Sequence, residues 1–155
     1  MLRPKRVQDS RTEQIQILMP EHINGAGRLF GGKLVEWIDV VAGVVARRHS
    51  GCEVTTASVD QLEFQAPAFV NDTIAMEGRI THVGRTSMEV RVDTFVESLG
   101  GERRQVNRAY LVMVALEPKT HKPTPVPSLL LETEEDFAEW EAGNLRAKAR
   151  KARRG

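Results

Sequence analysis

The sequence predicts an α+β domain in which one antiparallel sheet packs against one long helix. Three observations carry this. One stretch in the N-terminal third has the period of an amphipathic helix, four long stretches after it have strand character, and the joints between them are short and rich in Gly, Asn and Pro. A length of 155 residues suits one domain around one core.

Residues 1–11 are polar and read as a frayed end. Gln14 to Met19 is a short strand candidate closed by Pro20. Residues 20–30 form a loop with His22, Asn24, Gly25 and Gly27, and the helix then runs from Gly31 to His49. On a helical wheel Leu34, Val35, Ile38, Ala42, Val45 and Ala46 make one stripe, opposite Lys33, Glu36 and Arg47. Arg47, Arg48 and His49 suit the negative end of the helix dipole, and Gly51 is a stop signal. Strands follow at Val54–Gln65, before Pro67; at Thr73–Val83, after Asn71-Asp72; at Thr86–Glu97; and, past the hairpin signal Gly100-Gly101, at Gln105–Leu116. In the third of these Met88, Val90, Val92 and Thr94 alternate with Glu89, Arg91 and Asp93. A sheet of this kind leaves an outer face and edge strands open, which favours an oligomer.

The C-terminal part differs in composition. Residues 118–128 hold Pro118, Pro123, Pro125 and Pro127 and read as an extended linker. Glu132 to Glu141 is acidic, and Arg146 to Arg154 carries six basic residues and no acidic one. Phe137, Trp140 and Leu145 give a short helix an apolar side. The expectation is a domain over 1–127 and an extension over 128–155, acidic then basic and partly helical: a solvated helix running into a disordered tail. The basic end has the charge for nucleic acid or an anionic ligand, but the solvated reading is preferred, and nucleic acid is not an expected partner.

A net charge of +1 points to no particular partner. No run is long and apolar enough to span a bilayer, so no membrane partner is expected. Basic residues near Met1 are followed by no apolar h-region, so a secretory signal is not expected. Cys52 is the sole cysteine, which excludes an intrachain disulfide, fits a cytoplasmic protein and reads as a loop thiol. His22, His49, His82 and His121 are scattered, so no zinc pattern exists, and there is no Gly-x-Ser-x-Gly nucleophile elbow.

The chemistry-bearing candidate is Asp39, at the edge of the apolar stripe beside Val35, Ala42, Gly43 and Ala46. Burying a carboxylate costs several kcal/mol unless it is paired. A carboxylate kept there has a use, catalytic or structural. Gly25-Ala26-Gly27 with Gly31-Gly32 superficially suggests a dinucleotide loop, but Pro20–Asn24 intervenes where a buried strand is needed and the later strands read as antiparallel. Gly31 and Gly32 instead open the helix, where N–H groups lack intrahelical partners and favour negative charge: an oxyanion hole or, equally, a tight turn without chemistry. Asp60, mid-strand in Ala57–Phe64, reads as a supporting or structural carboxylate. Gly84-Arg85-Thr86-Ser87 offers a cation and two hydroxyls suited to phosphate, or a plain surface turn.

Together these pieces resemble the cytosolic acyl-CoA thioesterases of the hot-dog fold. The family pattern Asn-x-x-Gly-x-x-(Phe or His)-Gly-Gly, with an aspartate seven residues on, stands here as Asn24-Gly25-Ala26-Gly27-Arg28-Leu29-Phe30-Gly31-Gly32 and Asp39. Ala57-Ser58-Val59-Asp60 with Phe64, and Gly84–Val90, match further; the resemblance spans roughly residues 12–127. Phe30 stands where many relatives carry histidine, so no histidine base is expected there. The resemblance implies a sheet wrapped around a long central helix, subunits paired edge to edge, dimers assembling as hexamers, and sites between subunits. It implies hydrolysis of acyl-CoA with Asp39 as general base or nucleophile, Gly32 and Gly31 at the oxyanion, and Asn24 of the partner subunit orienting water or carbonyl. Arg85, Thr86 and Ser87, with Gly84 and Asp60, form the implied CoA-binding set. No metal and no cofactor is implied beyond CoA itself, as part of substrate and product. Other readings are a hydratase or dehydratase on the same fold, for which only His22 lies near the helix start, and a non-catalytic acyl-CoA-binding or regulatory domain.

Overall fold

The computed structural model describes residues 2–154. Elements run β1 (Lys5–Arg6), β2 (Thr12–Ile17), α1 (Gly31–Ser50), β3 (Glu53–Phe64), β4 (Thr73–Val83), β5 (Ser87–Glu97), β6 (Arg103–Leu116), β7 (Leu129–Leu130) and α2 (Glu134–Arg154). Five strands form an antiparallel sheet in the order β2-β4-β5-β6-β3. This sheet curves around α1, which touches all five of its strands.

Helix α1 stops where a glycine was expected to stop it: Gly51 is left-handed (φ 69°), and its N–H caps the Arg47 carbonyl. Its buried face is wider than a simple stripe. Trp37, Val41 and His49 are buried along with Leu34, Ile38, Ala42, Val45 and Ala46, because the sheet covers the helix on more than one side. Val35 is only half-buried. Helix and sheet approach closely at Gly78, where a β-carbon would lie 2.7 Å from a Val41 methyl group and 3.0 Å from one of Val45.

Three expectations are corrected. The N-terminal end is not frayed: β1 pairs in parallel with β7, and Val7 and Ser10 are buried. Residues 118–128 are not a free linker. The Thr124 N–H bonds the Ala115 carbonyl, the Val126 N–H bonds the Arg85 carbonyl, and buried His49 holds the Pro127 carbonyl through Nε2 at 2.8 Å. The basic tail is not disordered: α2 runs on to Arg154 and lies across the outer face of the sheet.

The sequence Thr133-Glu-Glu-Asp136 starts α2 as a capping box. The Asp136 N–H bonds Thr133 Oγ1, and Asp136 Oδ2 accepts the Thr133 N–H. Asp136 Oδ1 also accepts from Arg79 at 2.8 Å, fixing the helix start to β4. Glu89 and Arg91 on β5 are buried beneath α2, where Arg91 meets Glu135 and Glu139 and Glu89 meets Arg146 and Arg150, while Asp93 is buried against Arg91 and Arg108 of the sheet itself. Burial pushes the Glu89 carboxyl up, but Arg146, the Thr81 hydroxyl and Arg150 outweigh it and hold it below the usual range. At Gly143 a β-carbon would fall 2.7 Å from that of His82, so the missing side chain lets α2 lie this close.

Candidate active site

The Asp39 carboxylate does not stand alone. Thr56 on β3 donates its hydroxyl to Asp39 Oδ1 at 2.6 Å. Thr56 Oγ1 also lies 3.5 Å from Met113 Sδ, so Thr56 bridges the core and the open side of α1. A β-bulge between Thr56 and Ser58 breaks the register with β6. It leaves Thr56 facing Asp39 while Ala57 and Ser58 face the opposite, outer side of the sheet. Asp39 Oδ2 makes no hydrogen bond among the described residues. Thr56 was not picked out from the sequence. A strand packed on a helix turns either Thr55 or Thr56 toward it, and only the register decides which.

The loop before α1 is built by Asn24. Its Oδ1 accepts from the N–H groups of Ala26 (2.9 Å) and Arg28 (3.2 Å), and its backbone closes a turn with Arg28 and Gly27. The loop is held to the core by Leu29 N–H to the Ala68 carbonyl and Phe30 N–H to the His22 carbonyl. The Asn24 side-chain NH2 therefore points away from its own loop's bonding and has no partner among the described residues. At the helix start the Phe30 carbonyl accepts from Lys33 and Leu34, leaving the N–H groups of Gly31 and Gly32 without partners among the described residues. Asn24, Gly31, Leu34 and Phe64 line one cavity of about 450 Å³.

Asp39 is not in that cavity. It lies seven residues beyond Gly32 on the same helix, a rise of about 10 Å. One chain thus brings together Asp39 with Thr56, and separately Asn24 with Gly31, but not the two pairs. Around Asp39 the open face of α1 carries Val40, 52% exposed, and Gly43. Edge strand β3 has no buried residue in its 12, and presents Val59 and Phe64 to solvent.

The remaining predicted residues divide. Gly84, Arg85, Thr86 and Ser87 line a second cavity, of about 590 Å³, on the outer side of the sheet. Asp60 does not line it: its carboxylate is taken up by Arg150 at 3.1 Å and Arg153 at 3.6 Å. His22 packs edge-on against Trp37 and accepts the Met19 N–H through Nδ1, so it is engaged in holding the loop. Among the described residues no group of three or more His, Cys, Asp or Glu side chains is arranged to hold a metal, and no helix is long and apolar enough to cross a membrane.

A five-stranded antiparallel sheet around a long helix, with an aspartate on that helix facing outward, defines a hot-dog domain of the thioesterase type. The family model of the Thioesterase superfamily matches residues 26–101. The chain is 37% identical over 147 residues to an uncharacterised acyl-CoA thioester hydrolase of Bacillus subtilis, covering 94% of this chain and 85% of that protein. It is 33% identical to the cytosolic acyl coenzyme A thioester hydrolase of Rattus norvegicus, over 97% of this chain but only 40% of the rat protein's length. Among solved structures, a hexameric acyl-CoA thioesterase in its apo form superimposes with a TM-score of 0.94 at 38% identity, covering 99% of both chains. The acyl-CoA hydrolase of Staphylococcus aureus, solved with butyryl coenzyme A, coenzyme A and coenzyme A disulfide, gives 0.91 at 29% identity over 97% of this chain and 92% of that one. The chain belongs to the thioesterase superfamily, among its acyl-CoA thioester hydrolases.

Proposed function

We propose that this protein hydrolyses acyl-CoA thioesters to a carboxylic acid and CoA, at sites that two subunits build together. The observation that carries the reading is the separation of the site's two halves on one chain. Asp39 with Thr56 is a poised carboxylate without an oxyanion donor; Gly31, Gly32 and Asn24 are donors without a carboxylate. Edge-to-edge pairing of β3 with the β3 of a second copy sets the halves opposite each other and covers Val40, Val59 and Phe64. Assembly of such dimers into a hexamer is part of this proposal, by analogy with the hexameric neighbour.

In this arrangement the thioester carbonyl oxygen accepts from the Gly32 N–H, aided by that of Gly31, at the positive end of the partner's α1. The Asn24 NH2 of the same partner orients the carbonyl or the water. Asp39, held by Thr56 through one oxygen, uses the other either to take a proton from the attacking water or to attack the carbonyl itself. In both routes the C–S bond breaks and the thiolate of CoA leaves and takes up a proton; with water as nucleophile the acid forms directly, and with Asp39 as nucleophile a mixed anhydride forms, which water then cleaves to release the acid and restore Asp39. Arg85, Thr86 and Ser87 bind the nucleotide end of CoA. Three solved variants of the Staphylococcus aureus hydrolase support the choice of residues. They replace an asparagine, an aspartate and a threonine by alanine, spaced along that chain as Asn24, Asp39 and Thr56 are spaced here.

The test is release of CoA thiol from a panel of saturated acyl-CoAs by the wild type and by Asp39→Asn. The expected result is turnover by the wild type and a loss of about a thousandfold in the variant, with CoA affinity and assembly state retained. An active Asp39→Asn protein, or a wild type that turns over no acyl-CoA, contradicts the reading.

A further inference from the structure

The C-terminal helix reaches the second cavity. Its last two turns bring Lys151, Arg153 and Arg154 opposite Arg85, Thr86 and Ser87, across the cavity of about 590 Å³. Not all of the charge there is free. Arg150 is neutralised by Asp60 and Glu89, each at 3.1 Å, and Arg153 lies 3.6 Å from Asp60. Arg85, Lys151 and Arg154 form no ion pair among the described residues. The cavity therefore carries cations without counter-ions, next to two hydroxyls.

Both walls are held in place. On one side the Arg85 carbonyl is tied to the Val126 N–H and the Thr86 carbonyl to the Ala115 N–H, so the turn is fixed by its backbone and its side chains face outward. On the other, the Arg150 pairs fasten the helix down to within one turn of its end. Cations in a last helical turn also complement the helix dipole, but that role needs no opposing Arg85 and no cavity. Ala57 and Ser58, directly after Thr56, form the floor, so the cavity adjoins the strand that holds Asp39.

We propose that the C-terminal turns of α2, through Lys151 and Arg154, form a wall of the substrate site and bind the phosphates of the CoA nucleotide together with the Arg85–Ser87 turn. This rests on the acyl-CoA reading above and extends it to an element outside the region of the family motifs. Phosphate is matched to such a wall because charge-assisted bonds from Lys and Arg are about twice as strong as neutral ones. The bound species is a nucleotide with several phosphates, which CoA supplies as part of the substrate and a free nucleotide supplies as a separate ligand.

The experiment uses the full chain with the double substitution Lys151→Glu, Arg154→Glu, at two exposed positions that take no part in docking the helix. The expected result is a KM for acyl-CoA raised by about tenfold or more, the loss of roughly two phosphate contacts, with kcat near wild type. The same acyl group carried on pantetheine, which lacks the nucleotide, shows no such rise. Adenosine 3′,5′-bisphosphate competes with acyl-CoA in the wild type and ceases to do so in the variant. An unchanged KM for acyl-CoA, or an equal rise for the pantetheine thioester, overturns the proposal. Noncompetitive inhibition by the bisphosphate also overturns it and assigns the cavity to a separate nucleotide. Failure of the thioesterase reading itself shows differently, as a wild type that cleaves neither thioester; calorimetric binding of the bisphosphate to both proteins then still decides the cavity's ligand.

Discussion

Thr56 Oγ1 and Asp39 Oδ1 lie 2.6 Å apart, joining the first third of edge strand β3 to the middle of the central helix. The bond engages one carboxylate oxygen and leaves the other without a partner among the described residues. In the proposed mechanism Thr56 is a positioning residue. A hydrogen bond to a charged group contributes about 1.5–3 kcal/mol, so Thr56→Ala is expected to lower kcat by roughly ten- to a hundredfold. KM changes little, and Thr56→Ser restores most of the rate. A Thr56→Ala enzyme with wild-type kcat removes the threonine from the account.

The open edge of β3 gives the second prediction. Val59 is 41% exposed on a strand that pairs on one side only. In the proposed β3–β3 dimer Val59→Arg places like charges near each other across the two-fold axis and is expected to give monomers in sedimentation, with hydrolysis lost although Asp39 is intact. Monomers that retain full activity contradict a shared site.

Docking of α2 rests on buried ion pairs, which add little net stability when formed but cost much when half is removed. Asp136→Ala removes the buried carboxylate that pairs Arg79 at the capping box, where both side chains are 7% exposed, and leaves Arg79 only the more exposed Glu135 at 3.1 Å. It is expected to destabilise the protein by about 3 kcal/mol. Gly143→Val should loosen the same helix by a different route, forcing it off His82. Both are read as a lower Tm and as faster amide exchange in α2 than in α1. Equal exchange in the two helices argues that α2 is not a separately docked element.

His49 provides a pH dependence. Burial lowers its affinity for a proton, outweighing the bond to the Pro127 carbonyl, so its folded-state pKa lies below the ordinary 6.5. The unfolded chain then binds more protons than the folded one as pH falls through 6.5, so stability drops on acidification until the lowered folded-state value is passed. Melting followed between pH 8 and 5 should show this fall (the range chosen to bracket 6.5). His49→Gln should flatten it, while losing some stability at neutral pH where the histidine is neutral and bonded. An unaltered pH profile in His49→Gln assigns the effect elsewhere.

Much of this molecule is legible in its sequence. Period-3.6 spacing marks α1, and strand Thr73–Val83 runs between the same residues in sequence and structure. Asn24, Gly31, Gly32 and Asp39 stand in a motif whose spacing survives in one chain. What was hidden depends on contacts distant in sequence. Glu89, Arg91 and Asp93 alternate as a solvated face does, yet all three are buried, the first two under α2; alternation separates two faces of a strand and is silent on which is wet. The parallel pairing of Lys5–Arg6 with Leu129–Leu130 joins the two ends of the fold, and no local pattern announces it. Thr56 was hidden because a bulge sets its direction.

The most direct test of the shared site uses mixed oligomers. Asp39→Asn subunits and Asn24→Ala subunits, each inactive alone, are co-expressed with different tags and the mixed species purified. If Asp39 of one subunit works with Asn24 and Gly32 of its partner, each mixed dimer contains one site with every group intact. Random pairing then restores roughly a quarter of wild-type activity to the unfractionated mixture, and the purified mixed dimer shows half. Mixed oligomers no more active than their parents place both residues in a site within one chain and contradict the account.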